Sequence, residues 1–158
     1  MLQQFEDAKI SAENCMKQSK YAEAFFHWTK AIHIVENKVE STIESKLYAQ
    51  RAKCFLQSEQ FYYAMEDAQK VLELDPQNAL GHLRLAEVYY ETGHYIEALP
   101  IIGKCFTVTN GKSEKDYLLE WQRKCRRDAA KQKMKDEQLP FVGAAIGIVI
   151  ASLAIVGK

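Results

Sequence analysis

An excess of charge of either sign, closely spaced cysteines and a phosphate-binding loop are all missing from this sequence. Its 21 basic residues are balanced by 21 acidic ones, for a formal net charge of zero. Phosphate backbones are gripped through a basic surplus, so the balance argues against nucleic acid as a partner. Cys15, Cys54, Cys105 and Cys125 never fall two apart, and the four histidines are scattered. No zinc spacing results, which predicts no metal ligands and no cofactor. The cysteines read instead as small hydrophobes in a reducing compartment. No nucleophile pairs with a base in any recognisable pattern, so no catalytic residue is expected. The opening MLQQFEDAK carries Glu6 and Asp7 and no apolar run, unlike a secretory signal or an Arg-rich transit peptide. The expectation is a chain that starts in the cytosol.

What is there is helical periodicity, in a chain that is 47% apolar. The 34 residues from Ser45 to Asn78 carry Tyr48, Ala52 and Phe55 at one-turn spacing, then Phe61, Ala64, Ala68 and Val71 on a second helical stripe, closed by Asp75-Pro76. Small residues at Ala52 and Ala64 let two helices approach, and the aromatics fill the space around that contact. Pro76 ends the second helix, since it has no donor and clashes with the preceding turn. Upstream, Ala12, Cys15, Tyr21, Ala24, Trp28 and Ala31 mark a weaker unit of the same kind over about 5–36. Downstream, Ala86, Tyr89, Gly93, Tyr95, Ala98 and Cys105 mark a third over 79–110. The segment between the first two units is about six residues longer than the period requires, and falls to a loop or a lengthened helix. Gly93 suits a turn conformation that other residues resist. Pro100 is expected near the end of a first helical turn, where its missing donor costs little.

After Thr109-Asn110-Gly111, Ser113 with Asp116 resembles a helix cap, and Tyr117, Leu118, Trp121 and Cys125 form an apolar stripe. That is what a terminal helix needs to cover the open end of a stack. Its second half, Arg123 to Lys135, is basic but for Asp128, and suits anionic headgroups. Residues 139–157, LPFVGAAIGIVIASLAIVG, carry no charge. As a helix they would span about 28 Å, near the bilayer core of about 30 Å. The reading is a C-terminal membrane anchor, with the basic run on the cytosolic side. Gly143 and Gly147 form a small-xxx-small pair through which two such helices could associate as a homodimer.

The three units resemble tetratricopeptide repeats. LYAQRAKCF, YAMEDAQKVLELDP and GHLRLAEVYYETGHYIEAL are most similar to the three-repeat domains of Hop- and CHIP-type chaperone adaptors. The resemblance implies a right-handed superhelical stack whose groove holds the acidic C-terminal tail of a heat-shock chaperone through five polar positions. Carried over, these fall on Lys9 and Arg84, which match, and on Glu13, Gln50 and Leu80, which do not. Glu13 would repel an acidic peptide, Gln50 keeps donor capacity, and Leu80 replaces a cation with apolar surface. The layout of repeats plus tail anchor also resembles mitochondrial import receptors and the mitochondrial fission adaptor, which favours the mitochondrial outer membrane over the endoplasmic reticulum.

The expectation is therefore all-α: a repeat domain over 1–111, a capping helix with a basic half over 112–137, and a transmembrane helix over 139–157. First-helix positions give a mixed groove of Lys9, Glu13, Gln50, Lys53, Leu80, Arg84, Glu87 and Tyr90, suited to a protein segment. The functional expectation is a membrane-held adaptor that binds chaperone tails or targeting sequences. The alternative is a self-associating membrane scaffold resembling the fission adaptor.

Overall fold

The computed structural model describes residues 2–36 and 38–156, with 138–156 described as helical backbone alone. Among the described residues all regular structure is helical: α1 (Leu2–Lys17), α2 (Tyr21–Val35), α3 (Ser41–Gln57), α4 (Phe61–Leu74), α5 (Ala79–Glu91), α6 (Tyr95–Val108) and α7 (Lys112–Val156). Among the residues whose side chains are described, 2–36 and 38–137, no helix is long and apolar enough to cross a membrane. The run 139–157 read as a transmembrane helix, with Gly143 and Gly147, lies outside the residues whose side chains are described.

The first six helices form three antiparallel pairs, and each pair turns in the same way. Lys20 N donates to Cys15 O at 2.9 Å, Gln60 N to Phe55 O at 2.8 Å, and His94 N to Tyr89 O at 2.8 Å. These bonds close a Schellman-type end around one left-handed residue: Ser19 (φ 58°), Glu59 (φ 57°) and Gly93 (φ 80°). Gly93 does what its residue type predicts. Ser19 and Glu59 adopt the same conformation against the steric preference of a Cβ.

Alanine sets the spacing between helices. Ala12, Ala24, Ala31, Ala52, Ala64, Ala68, Ala86 and Ala98 all lose their solvent exposure, as the periodicity predicts. Between α4 and α5 the approach is closer still. A Cβ on Gly81 would lie 2.6 Å from Val71 Cγ1, so only glycine fits there. Asn78 starts α5 by accepting from the Leu80 and Gly81 amides at 3.0 and 3.2 Å, and its amide donates to Ser45 Oγ at 3.3 Å. Beyond the pairs, α3 also packs directly on α5, whereas α4 and α6 share no comparable contact among the described residues. α3 and α5 thus line the inner side.

A second tie runs through Arg51. Its guanidinium donates to both Asp67 oxygens at 2.7 and 2.8 Å and to Thr29 Oγ1 at 3.0 Å, joining α2, α3 and α4. The same group lies 5.2 Å from the Tyr48 ring centre. Burial pushes the Asp67 carboxyl up, and the two bonds from Arg51 pull it back.

The long segment after the first pair lengthens a helix in part, one of the two outcomes expected: α3 starts at Ser41, four residues upstream of Ser45. Two details differ from the sequence reading. Pro100 lies in the second turn of α6 rather than at the end of the first. The Ile96 carbonyl therefore loses its helical donor, at a residue 68% exposed where water can replace it. α7 starts at Lys112, with Gly111 O accepting from Lys115 N at 3.1 Å, so Ser113 sits inside the first turn and does not cap it.

Candidate peptide-binding groove

Leu118, Trp121 and Cys125 of α7 bury themselves against Ala86, Ala98, Ile102 and Cys105, and so cover the end of the stack. Tyr117, the remaining member of the expected stripe, stays 58% exposed, lying against the Trp121 ring at 6.5 Å. The other flank of α7 faces α5 across the inner side. There Tyr90 Oη donates to Asp128 Oδ2 at 2.6 Å, and Lys124 Nζ lies 4.8 Å from the Tyr90 ring centre. The hydrogen bond from Tyr90 holds the Asp128 carboxyl below the usual range. Tyr90, read from the sequence as a groove residue, is thus largely committed to α7.

This geometry leaves two cavities along α5. The larger, about 640 Å³, is lined by Leu56, Phe61, Glu87, Tyr90, Trp121 and Lys124 among others. The smaller, about 310 Å³, has a mostly apolar wall that includes Leu80, Leu83, Cys105, Tyr117 and Leu118. Both volumes fall in the range that takes a small ligand or a few side chains of a bound segment.

The other seven expected groove residues separate into three sets. Lys9 and Glu13 lie on α1, Lys9 in a loose 3.9 Å pair with Glu6 and Glu13 exposed. Gln50 and Lys53 lie half-buried on α3, and none of these four lines either cavity. Leu80, Arg84 and Glu87 lie on α5. Leu80 packs on the core of the first two pairs and borders the small cavity.

Arg84 is only 8% exposed. Its Nη1 donates to Glu87 Oε2 at 2.6 Å, while its Nε is buried with no hydrogen-bond partner among the described residues. A buried donor left unpaired is costly, and such groups concentrate where something else is meant to bind. Arg84 also lies close enough to Cys54 and Cys105 to counter, in small part, the effect of their burial. Burial dominates: it pushes Cys54 up to about 11 and raises Cys105 and Cys125 as well. These three remain thiols near neutrality, and two of them donate to carbonyls, Cys105 to Ala79 O and Cys125 to Tyr95 O. Cys15, read as buried, is half-exposed. Among the described residues no group of three His, Cys, Asp or Glu side chains could hold a metal.

Sequence reasoning missed Phe61 and Trp121 as cleft walls, because Phe61 reads as a packing residue of the repeat and Trp121 as one of the terminal helix, and it did not single out Leu56. It missed Asp128 as the anchor of Tyr90, since no spacing rule links residues 38 apart.

The fold is of the tetratricopeptide class: three helix–turn–helix pairs and a seventh helix covering the end. The tetratricopeptide repeat family profile matches residues 68–99, from α4 into α6. Hsp70-Hsp90 organizing protein 1 of Glycine max is 30% identical over 94 residues, 60% of this chain and 15% of that protein. The chain thus spans about a sixth of that relative's length. Among solved structures, the TPR2B domain of yeast Sti1 in complex with an Hsp70 peptide superposes with a TM-score of 0.66 at 19% identity, covering 82% of this chain and 98% of that one. The first TPR domain of Spaghetti (RPAP3), bound to the HSP90 peptide SRMEEVD, gives 0.67 at 19% identity, covering 81% and 97%.

Proposed function

We propose that this chain is a non-enzymatic adaptor whose groove takes a short segment of a partner protein. The C-terminal tail of an Hsp70- or Hsp90-class chaperone is the leading ligand, and a targeting sequence the other. The observation that carries the reading is Arg84: a buried guanidinium on the inner side of the stack with a nitrogen that no described residue satisfies. A ligand carboxylate is the group such a fork recognises. Support also comes from the two solved neighbours, which are complexes with Hsp70 and HSP90 peptides.

The adaptor is held on the cytosolic face of an organelle membrane, the mitochondrial outer membrane first, by residues 139–157. Confinement there raises the local concentration of partners on the same surface. Supporting this, all seven basic residues from Arg123 to Lys135 are exposed, while Asp128 is drawn onto the Tyr90 hydroxyl. The run therefore offers cations to an anionic headgroup layer.

Titration of the full chain with SRMEEVD tests the groove. Saturable binding that is weakened by Arg84→Ala and by Lys9→Ala is expected, and no binding by folded protein overturns it. Fractionation of cells tests the anchor: deleting residues 139–158 should release the protein from membranes, and continued co-sedimentation would show that another segment attaches it.

A further inference from the structure

We propose that Glu87 is a built-in competitor for ligand carboxylates at Arg84, and so sets how strongly the groove accepts an acidic tail. This rests on the reading of Arg84 as the carboxylate-receiving residue. The two side chains stand three residues apart on α5 and meet at 2.6 Å, with 10% and 25% of their side-chain surface exposed. Glu87 takes a single guanidinium nitrogen, Nη1, and leaves Nε unpartnered. Arg51, by contrast, spends Nε and Nη2 together on the two oxygens of Asp67. The Nε edge is buried, so an incoming carboxylate meets Arg84 only through the tenth of its side-chain surface that stays exposed, and there it shares one cation with Glu87. Two carboxylates around one partly buried guanidinium repel each other more strongly than they would in water. Glu87 also lines the 640 Å³ cleft, so a ligand that enters the cleft meets this charge directly. The groove consequently accepts an acidic tail more weakly than its cation alone would allow, through a repulsive element it carries itself.

The test compares full-length wild type with Glu87→Gln, which keeps an oxygen to accept from Nη1 and removes the charge. Anisotropy with fluorescein-labelled SRMEEVD should show binding about tenfold tighter in the variant, the scale of one charge-assisted bond. A control peptide with its acids amidated, SRMQQVN-amide, should bind both proteins equally. The gain should vanish when Arg84→Gln is also present, and Glu97→Gln, a distant exposed acid on α6, should not reproduce it. Should Glu87→Gln lose its helical circular dichroism, Glu87→Asp, with a shorter arm, should give a smaller gain in the same direction. Equal or weaker binding by a folded variant, or a gain that survives without Arg84, overturns the proposal. If wild type binds and Glu87→Gln binds equally, only this inference falls. If neither binds the acidic peptide, the groove reading falls with it.

Discussion

Two arginines in this fold, Arg84 buried and Arg51 half-buried, are each joined to a carboxylate and differ in what they connect. Arg51 crosses between helices: it grips Asp67 with two bonds, reaches Thr29, and lies over Tyr48. Arg84 stays within one turn of α5, makes one bond to Glu87, and leaves Nε unused. Each nitrogen of the first has a partner, and the group ties three helices into a unit. The second leaves a buried nitrogen without one among the described residues. Burial and charge alone would rank the two pairs alike; the count of partnered nitrogens separates a clasp between helices from a bond within one turn.

The largest expected effect breaks the clasp. Asp67→Ala strands the Arg51 guanidinium and should lower unfolding free energy by about 3–5 kcal/mol, read by denaturant titration. Glu87→Gln should cost about 1 kcal/mol or less in the same titration, since an acceptor remains and the pair lies within one helix. Equal losses in the two variants would erase the distinction.

Gly81→Ala sharpens the contrast differently. Its methyl would press on Val71 and Leu72, costing about 1–3 kcal/mol and shifting α5, which carries Arg84 but not Arg51. Peptide affinity should fall along with stability. A smaller change, of opposite sign, is expected at the turns. Glu59→Gly, at the turn that joins the two helices of the clasp, should stabilise by about 0.5 kcal/mol, because glycine adopts the left-handed conformation without strain.

The smallest effect concerns the link between α5 and α7. Asp128 titrates below its ordinary value of 3.8 in the fold, so its contribution is present above that pH and is lost as pH falls through the depressed folded value. Acid titration of Trp121 fluorescence in a Trp28→Phe background should show the change, and Tyr90→Phe should flatten it.

The helix pairs and their alanine contacts were legible in the sequence, because Ala52, Ala64, Ala68, Ala86 and Ala98 fall on the apolar stripes of successive helices and mark close approach directly. The Arg51–Asp67 clasp was not, since its partners are 16 residues apart on different helices. Nor were the turns at Ser19 and Glu59, where hydrogen bonding imposes a conformation that residue type disfavours. Gly81 was passed over because its reason is the Val71 side chain opposite it, visible only once α4 and α5 are packed. In the groove, Arg84 was found by resemblance, but its engagement by Glu87 depends on side-chain reach along α5. Pro100 shows a limit of residue rules: exposure of Ile96 lets the helix tolerate it one turn deeper than capping statistics favour.

The Tyr90 hydroxyl on Asp128, with Lys124 over the ring, has a mechanical consequence. The hydroxyl bond, the cation over the ring and the Trp121 indole 6.1 Å away hold one tyrosine from three directions. Rotation of either helix about its own axis would have to break all three at once, so the cover on α7 and the cleft wall on α5 keep a fixed register.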